Sequence, residues 1–87
     1  MKRRSKLEVI NDILDAIYQK GEIKLTHLMY KANLSYQKLK EYLDKLKEND
    51  MIEIDSNNIV KLKDKGIEFL REFYRLKKFA ESFGLDE

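Results

Sequence analysis

The sequence predicts a mainly α fold with a small β-hairpin, followed by a long C-terminal helix. Three observations carry that expectation. Apolar residues recur at three- and four-residue spacing in separate stretches of the chain. Two short apolar runs, Met51–Ile54 and Ile59–Leu62, are separated by the turn-forming Asp55-Ser56-Asn57-Asn58. The 87 residues include no Pro and only three Gly, so the last helical pattern runs unbroken from Gly66 to Gly84.

The first helix is expected over Lys6–Lys20. Ser5 and Glu8 have the S-x-x-E spacing of a capping box, which satisfies two of the amides a helix start leaves unpaired. Leu7, Ile10, Leu14 and Ile17 make an apolar stripe with Ile13 beside it. Gly21 supplies the left-handed stop, and Glu22–Lys24 reads as a short strand. A short second helix starts at its expected N-cap, Thr26, and ends at Lys31 or Ala32. Asn33 then turns the chain, because Asn tolerates left-handed backbone, and Leu34 plugs the core. Ser35 caps a third helix that runs to Glu48, with Leu39, Leu43 and Leu46 as its buried stripe. Tyr36 and Tyr42 flank that stripe, and Asn49-Asp50 ends the helix. In the hairpin, Ile52 and Ile54 share one face, as do Val60 and Leu62. The final helix is expected from Asp64 to Phe83.

Helix, strand, helix, tight turn, helix and hairpin, in that order, form the plan of a winged helix-turn-helix. We place this domain at residues 1–63 and a dimerisation helix at 64–87. The helix carries Gly66, Phe69, Phe73, Leu76, Ala80 and Phe83 at alternating spacings of three and four, an a/d heptad seam. Ile67, Leu70 and Tyr74 form a second stripe. A small winged domain covers the second stripe near the helix start, but not a seam some ~30 Å long. Several Phe left in water would exceed the apolar patch of an ordinary monomer. The expectation is a homodimeric coiled coil with Phe69, Phe73, Leu76, Ala80 and Phe83 at its interface. The alternative is a helix folded back on its own domain.

Composition removes several function classes. With no Cys there is no disulfide, no Cys-ligated zinc and no thiol nucleophile. A single His, His27, leaves little room for a metal pair or acid–base chemistry. Asp12 with Asp15, and Glu68 with Glu72, read as solvated helix faces. The expectation is no enzyme, no metal, no cofactor and no small-molecule ligand. No apolar run approaches the ~20 residues of a membrane span. The basic start, Met1 to Ser5, leads into an amphipathic pattern and not a signal-peptide core, so a cytoplasmic protein is expected. The net charge is only +2, yet it is split. Residues 1–47 carry 11 basic and 6 acidic side chains, against 7 and 10 over residues 48–87. That asymmetry suits one end meeting a polyanion, or charges that merely decorate solvated faces.

The stretch Met29-Tyr30-Lys31-Ala32-Asn33-Leu34-Ser35-Tyr36, followed by Leu39, Tyr42 and Leu43 and then by Leu62-Lys63-Asp64-Lys65-Gly66 and Phe69-Leu70, resembles a family of small archaeal winged-helix proteins. The resemblance covers nearly the whole chain and implies a winged helix with a long C-terminal helix. It further implies an antiparallel coiled-coil dimer, DNA binding, and a role as a transcriptional regulator or chromatin-associated protein on the nucleoid. One departure is Lys63, where that family often has a capping Thr.

In a helix-turn-helix the second helix enters the major groove with its N-terminal residues against the bases. Here that is the helix spanning residues 35–48. Ser35 and Gln37 are the candidates for base edges, since Gln pairs with adenine. Tyr36 is expected to wedge against the core with its hydroxyl near a phosphate. Lys31, Lys38, Lys40 and Lys45 are candidate phosphate contacts. Lys2, Arg3 and Arg4 suit a backbone or minor groove, or a merely solubilising end. Asn57 and Asn58 at the wing tip are weak candidates. Glu41 and Asp44 repel DNA unless helical pairing with lysines absorbs them. The partners expected are double-stranded DNA and a second copy of the chain. The rival is a protein–protein adaptor that does not bind DNA.

Overall fold

A computed structural model describes residues 4–85; Lys2 and Arg3 lie outside the described residues. Four helices and three strands follow in the order α1 (Lys6–Lys20), β1 (Glu22–Lys24), α2 (Leu25–Ala32), α3 (Tyr36–Glu48), β2 (Ile52–Ile54), β3 (Ile59–Leu62) and α4 (Asp64–Ser82). No helix among them is long and apolar enough to cross a membrane.

The start of α1 is the expected capping box. The Glu8 amide donates to Ser5 Oγ at 3.1 Å, and the Ser5 amide donates to Glu8 Oε1 at 2.7 Å. Gly21, at φ +81°, ends the helix by donating to the Ile17 and Tyr18 carbonyls. The buried face is rotated from the predicted stripe. Val9, Ile13, Leu14 and Ile17 are buried, Ile10 is half-buried and Leu7 is 55% exposed. The reason is tertiary: α2, β3 and α4 all pack on α1, and the arc they cover takes in Val9 and Ile13 and leaves Leu7 exposed.

The hairpin belongs to a three-stranded antiparallel sheet ordered β1-β3-β2. Ile23 of β1 faces Val60 of β3, and both are buried. On the outer face Glu22 opposes Lys61, and their charged ends lie 3.4 Å apart. Pairing of β1 also explains why α2 begins at Leu25 and not after a Thr26 cap. The Leu25 amide donates to the Asn58 carbonyl in the β2–β3 turn, so sheet backbone satisfies it and the Lys24 N-cap contributes no side chain. Asp55 organises that turn: its Oδ1 accepts from the Asn57 and Ile59 amides at 2.8 and 3.0 Å.

Asn33 adopts the left-handed region at φ 56°, ψ 52° and caps α2. Half-buried Leu34 then packs on the core. Ser35 Oγ accepts from the Lys38 amide at 3.2 Å and starts α3, whose Leu39, Leu43 and Leu46 are buried as predicted.

The turn after α3 is joined to the base of α4. Asp50 is left-handed at φ +63°. The Lys63 amide donates to the Met51 carbonyl at 2.9 Å, and Lys63 Nζ pairs with Asp50 Oδ1 at 2.5 Å. The hydrogen bond and charge of Lys63, aided by Lys65, hold the Asp50 carboxyl below its ordinary 3.8. Asp50, with help from Glu53, holds Lys63 above its ordinary 10.5. A lowered carboxyl pKa gives stability that is complete above the ordinary value and lost as pH falls through the lowered one. A raised lysine pKa gives stability that is complete below 10.5 and lost as pH rises beyond it. The pair is therefore expected to hold constant across neutral pH. Carboxyl-carbon NMR should show Asp50 titrating below 3.8, and Lys63→Met should return it to the ordinary range.

Candidate nucleic-acid interface

The α2–α3 turn and the outer side of α3 gather most of the predicted residues. Lys31, Ser35, Tyr36, Gln37, Lys38, Lys40 and Lys45 are all exposed, while Leu39, Leu43 and Leu46 anchor α3 in the core. The Ser35 cap leaves the first amides of α3 as the positive end of the helix dipole, which favours a phosphate. Tyr36 departs from expectation. It is 54% exposed and does not wedge into the core. By spacing Tyr36 lies in line with buried Leu39 and Leu43, at the N-terminal end of that stripe, and there it remains exposed.

Charges along α3 are partly neutralised. Lys38 Nζ lies 3.8 Å from Glu41 Oε1, one of the helical pairs anticipated from spacing. Lys31, Lys40 and Lys45 form no ion pair within 4 Å among the described residues. The wing tip is short, with Asn57 and Asn58 exposed and Lys61 turned to Glu22.

Arg4 is used within the fold. Its Nη1 donates to Asp12 Oδ2 at 2.8 Å and its Nη2 to the Asn33 carbonyl at 3.2 Å. It thus ties the chain start to α1 and to the helix-turn-helix turn. Sequence reasoning missed this link, because the partners are 8 and 29 residues away. It also passed over Tyr30, which at 76% is the most exposed aromatic described. The signal was present: Leu28 and Ala32, four apart, define the buried side of α2, and Tyr30 lies opposite.

The α4 seam divides into two parts. Gly66 is buried, Phe69 packs partly on the core, and Phe73 and Ala80 are half-buried along the groove beside α1. Leu76, Phe79 and Phe83 are each more than 60% exposed, and Leu85 is 73% exposed. Phe79 and Phe83 stack edge to face with centroids 5.1 Å apart. So the N-terminal part of the predicted seam is spent inside the chain, and Phe79, which the seam omitted, joins the exposed apolar end.

Among the described residues no polar or charged side chain is buried, and no cluster of His, Asp or Glu could hold a metal. The described surface of α2 and α3 offers a capped helix start, amides, hydroxyls and exposed lysines. The sequence matches the winged helix-turn-helix family over residues 3–81. The chain belongs to that family. The fold is also that of Sso10a-2, a DNA-binding protein from Sulfolobus solfataricus seen in its crystal structure. The two superpose with a TM-score of 0.75 at 23% identity, over 92% of this chain and 85% of the other. No curated protein matches the sequence.

Proposed function

We propose that this protein is a homodimeric DNA-binding protein that acts as a transcriptional regulator or chromatin-associated protein on the cytoplasmic nucleoid. Residues 1–63 supply the winged helix-turn-helix and residues 64–87 the dimerisation helix. The observation that carries the reading is α3. It presents a capped N-terminus, exposed Ser35, Gln37 and Tyr36, and Lys40 and Lys45 exposed on its flanks with no ion pair among the described residues. The Sso10a-2 fold, in a protein named for DNA binding, supports it.

In this reading α3 lies in the major groove. Ser35 and Gln37 meet base edges. Tyr36, Lys31, Lys38, Lys40 and Lys45 meet phosphates, each lysine releasing about one counterion. Lys2 and Arg3 extend the backbone contact, and Arg4 joins them by exchanging Asp12 for phosphate. Asn57 and Asn58 contribute weakly from the wing. The exposed apolar end of α4 holds two copies together through Leu76 and Phe83, with Phe69, Phe73 and Ala80 as the inner edge of the contact.

Fluorescence anisotropy on a mixed duplex of about 30 base pairs, at two salt concentrations, tests the reading, with a slope near 0.9 per phosphate contact. Substituting Lys38 and Lys40 together by Ala is expected to weaken binding and lower that slope by about two units. Unchanged binding would move the interface off α3. No binding at low salt would favour a protein–protein adaptor, the reading suggested by exposed Glu41 and Asp44 on the same helix.

A further inference from the structure

Gly66 sits against the turn that follows α3, and the contact is closer than a side chain allows. A Cβ at Gly66 would lie 2.4 Å from the Met51 carbonyl oxygen and 3.1 Å from Leu62 Cδ2. The same carbonyl accepts the Lys63 amide at 2.9 Å, and the preceding residue, Asp50, holds Lys63 by its charge. On the other side the turn is continuous with α3. The Asp50 amide donates to the Lys47 carbonyl at 3.0 Å and the Met51 amide to the Leu46 carbonyl at 2.9 Å. Asn49 Nδ2 donates to the Lys45 carbonyl at 2.8 Å. A chain of short contacts thus runs from the last turn of α3 to the first turn of α4.

We propose that Asp50, Met51, Lys63 and Gly66 form a rigid joint that positions the two recognition helices of the dimer by fixing the angle between α3 and α4. This deepens the reading of α3 as the DNA-contacting helix and α4 as the dimerisation arm, and rests on it. Geometry gives the leverage. An added methyl at Gly66 must push the Met51 carbonyl away by about 1 Å. Pivoted on Leu70, one turn and ~6 Å further on, that displacement tilts the helix axis by roughly 10° and moves its far end by about 3 Å. One base-pair step is ~3.4 Å, so the displacement is of the size that changes which half-site spacing the dimer spans. The lack of any Pro, or of further Gly between Gly66 and Gly84, leaves no softer point in the arm to absorb it.

These are positioning residues, and their test reads geometry. The chain has no Cys, so spin labels go only where they are placed. Gln37→Cys with Ser82→Cys, diluted in unlabelled protein, reports the α3–α4 distance within one chain by pulsed electron resonance. Gly66→Ala is expected to shift that distance by about 3 Å, and Lys63→Met to broaden its distribution, with helical circular dichroism retained in both. Gln37→Cys alone then reads the separation of the two recognition helices, which should shift in the same variants. Unchanged distances in both folded variants would overturn the joint. Should Gly66→Ala fail to fold, the Lys63→Met distribution decides alone: broadening supports the joint and no change overturns it. A wild-type species that sediments as a monomer would remove the dimer reading and its spacing role. The intrachain distances would still judge the joint itself.

Discussion

Replacing Leu76 and Phe79 together by Glu is expected to leave a folded monomer of 10.5 kDa that binds duplex DNA at least ~10²-fold more weakly. The two side chains are 62% and 63% exposed and neither belongs to the core or the residues packed against it. Their loss therefore leaves the core of the winged domain intact, and the thermal midpoint falls only by what the contact between copies contributed. What they supply is an apolar end to α4, continued by Phe83 and Leu85. Aromatic side chains dominate interface energetics because each buries ~150–250 Å². In a two-fold contact every substitution acts twice, so four carboxylates would enter an apolar contact. DNA affinity falls because two linked recognition helices bind at a high effective concentration that a monomer lacks. Sedimentation equilibrium at low micromolar protein, beside anisotropy at one salt concentration, checks both halves. A double variant that still sediments as a dimer would move the interface off this end of α4.

The positions where sequence and structure part company share a cause. Capping signals are local, and Ser5 with Glu8, Ser35, Gly21 and Asn33 each do what their residue types dictate within a few residues. Periodicity identified which side of α3 is buried, because that helix is covered along one face only. It misjudged α1, where α2, β3 and α4 cover a wider arc than one stripe, so that Val9 is buried and Leu7 is not. Thr26 looked like a cap because no local pattern shows that the Asn58 carbonyl, across the sheet, satisfies the Leu25 amide. The heptads of α4 were legible as apolar positions. How they divide between the chain's own core and an outside partner depends on where the domain ends in space, and heptad spacing does not encode that. Within the candidate site, exposure of Gln37, Lys38 and Lys40 followed from the leucine stripe. The use of Arg4 on Asp12 and the Asn33 carbonyl did not, since the contact spans 29 residues.

The rotated face of α1 separates two leucines that the stripe treated as equivalent. Leu14→Ala is expected to cost about 2–5 kcal/mol, because Leu14 is fully buried and its removal leaves a cavity among rigid neighbours. For a domain of this size a loss of ~3 kcal/mol lowers the melting midpoint by roughly 12–24 °C. Leu7→Ala, at a residue 55% exposed in the first turn, is expected to change stability by no more than about 0.5 kcal/mol. Paired urea melts measure both, with the midpoint falling and the slope unchanged in the Leu14 variant. Equal losses at the two sites would restore the stripe of Leu7, Ile10, Leu14 and Ile17 and contradict the packing of α4 on α1. The outcome also bears on DNA binding. α1 packs against both α2 of the helix-turn-helix and α4. A Leu14→Ala protein should therefore lose DNA affinity only as it melts, with the two losses sharing one midpoint. The Lys38 and Lys40 substitutions should weaken binding with the melting midpoint intact. That contrast assigns the lysines to contact and the buried leucine to support.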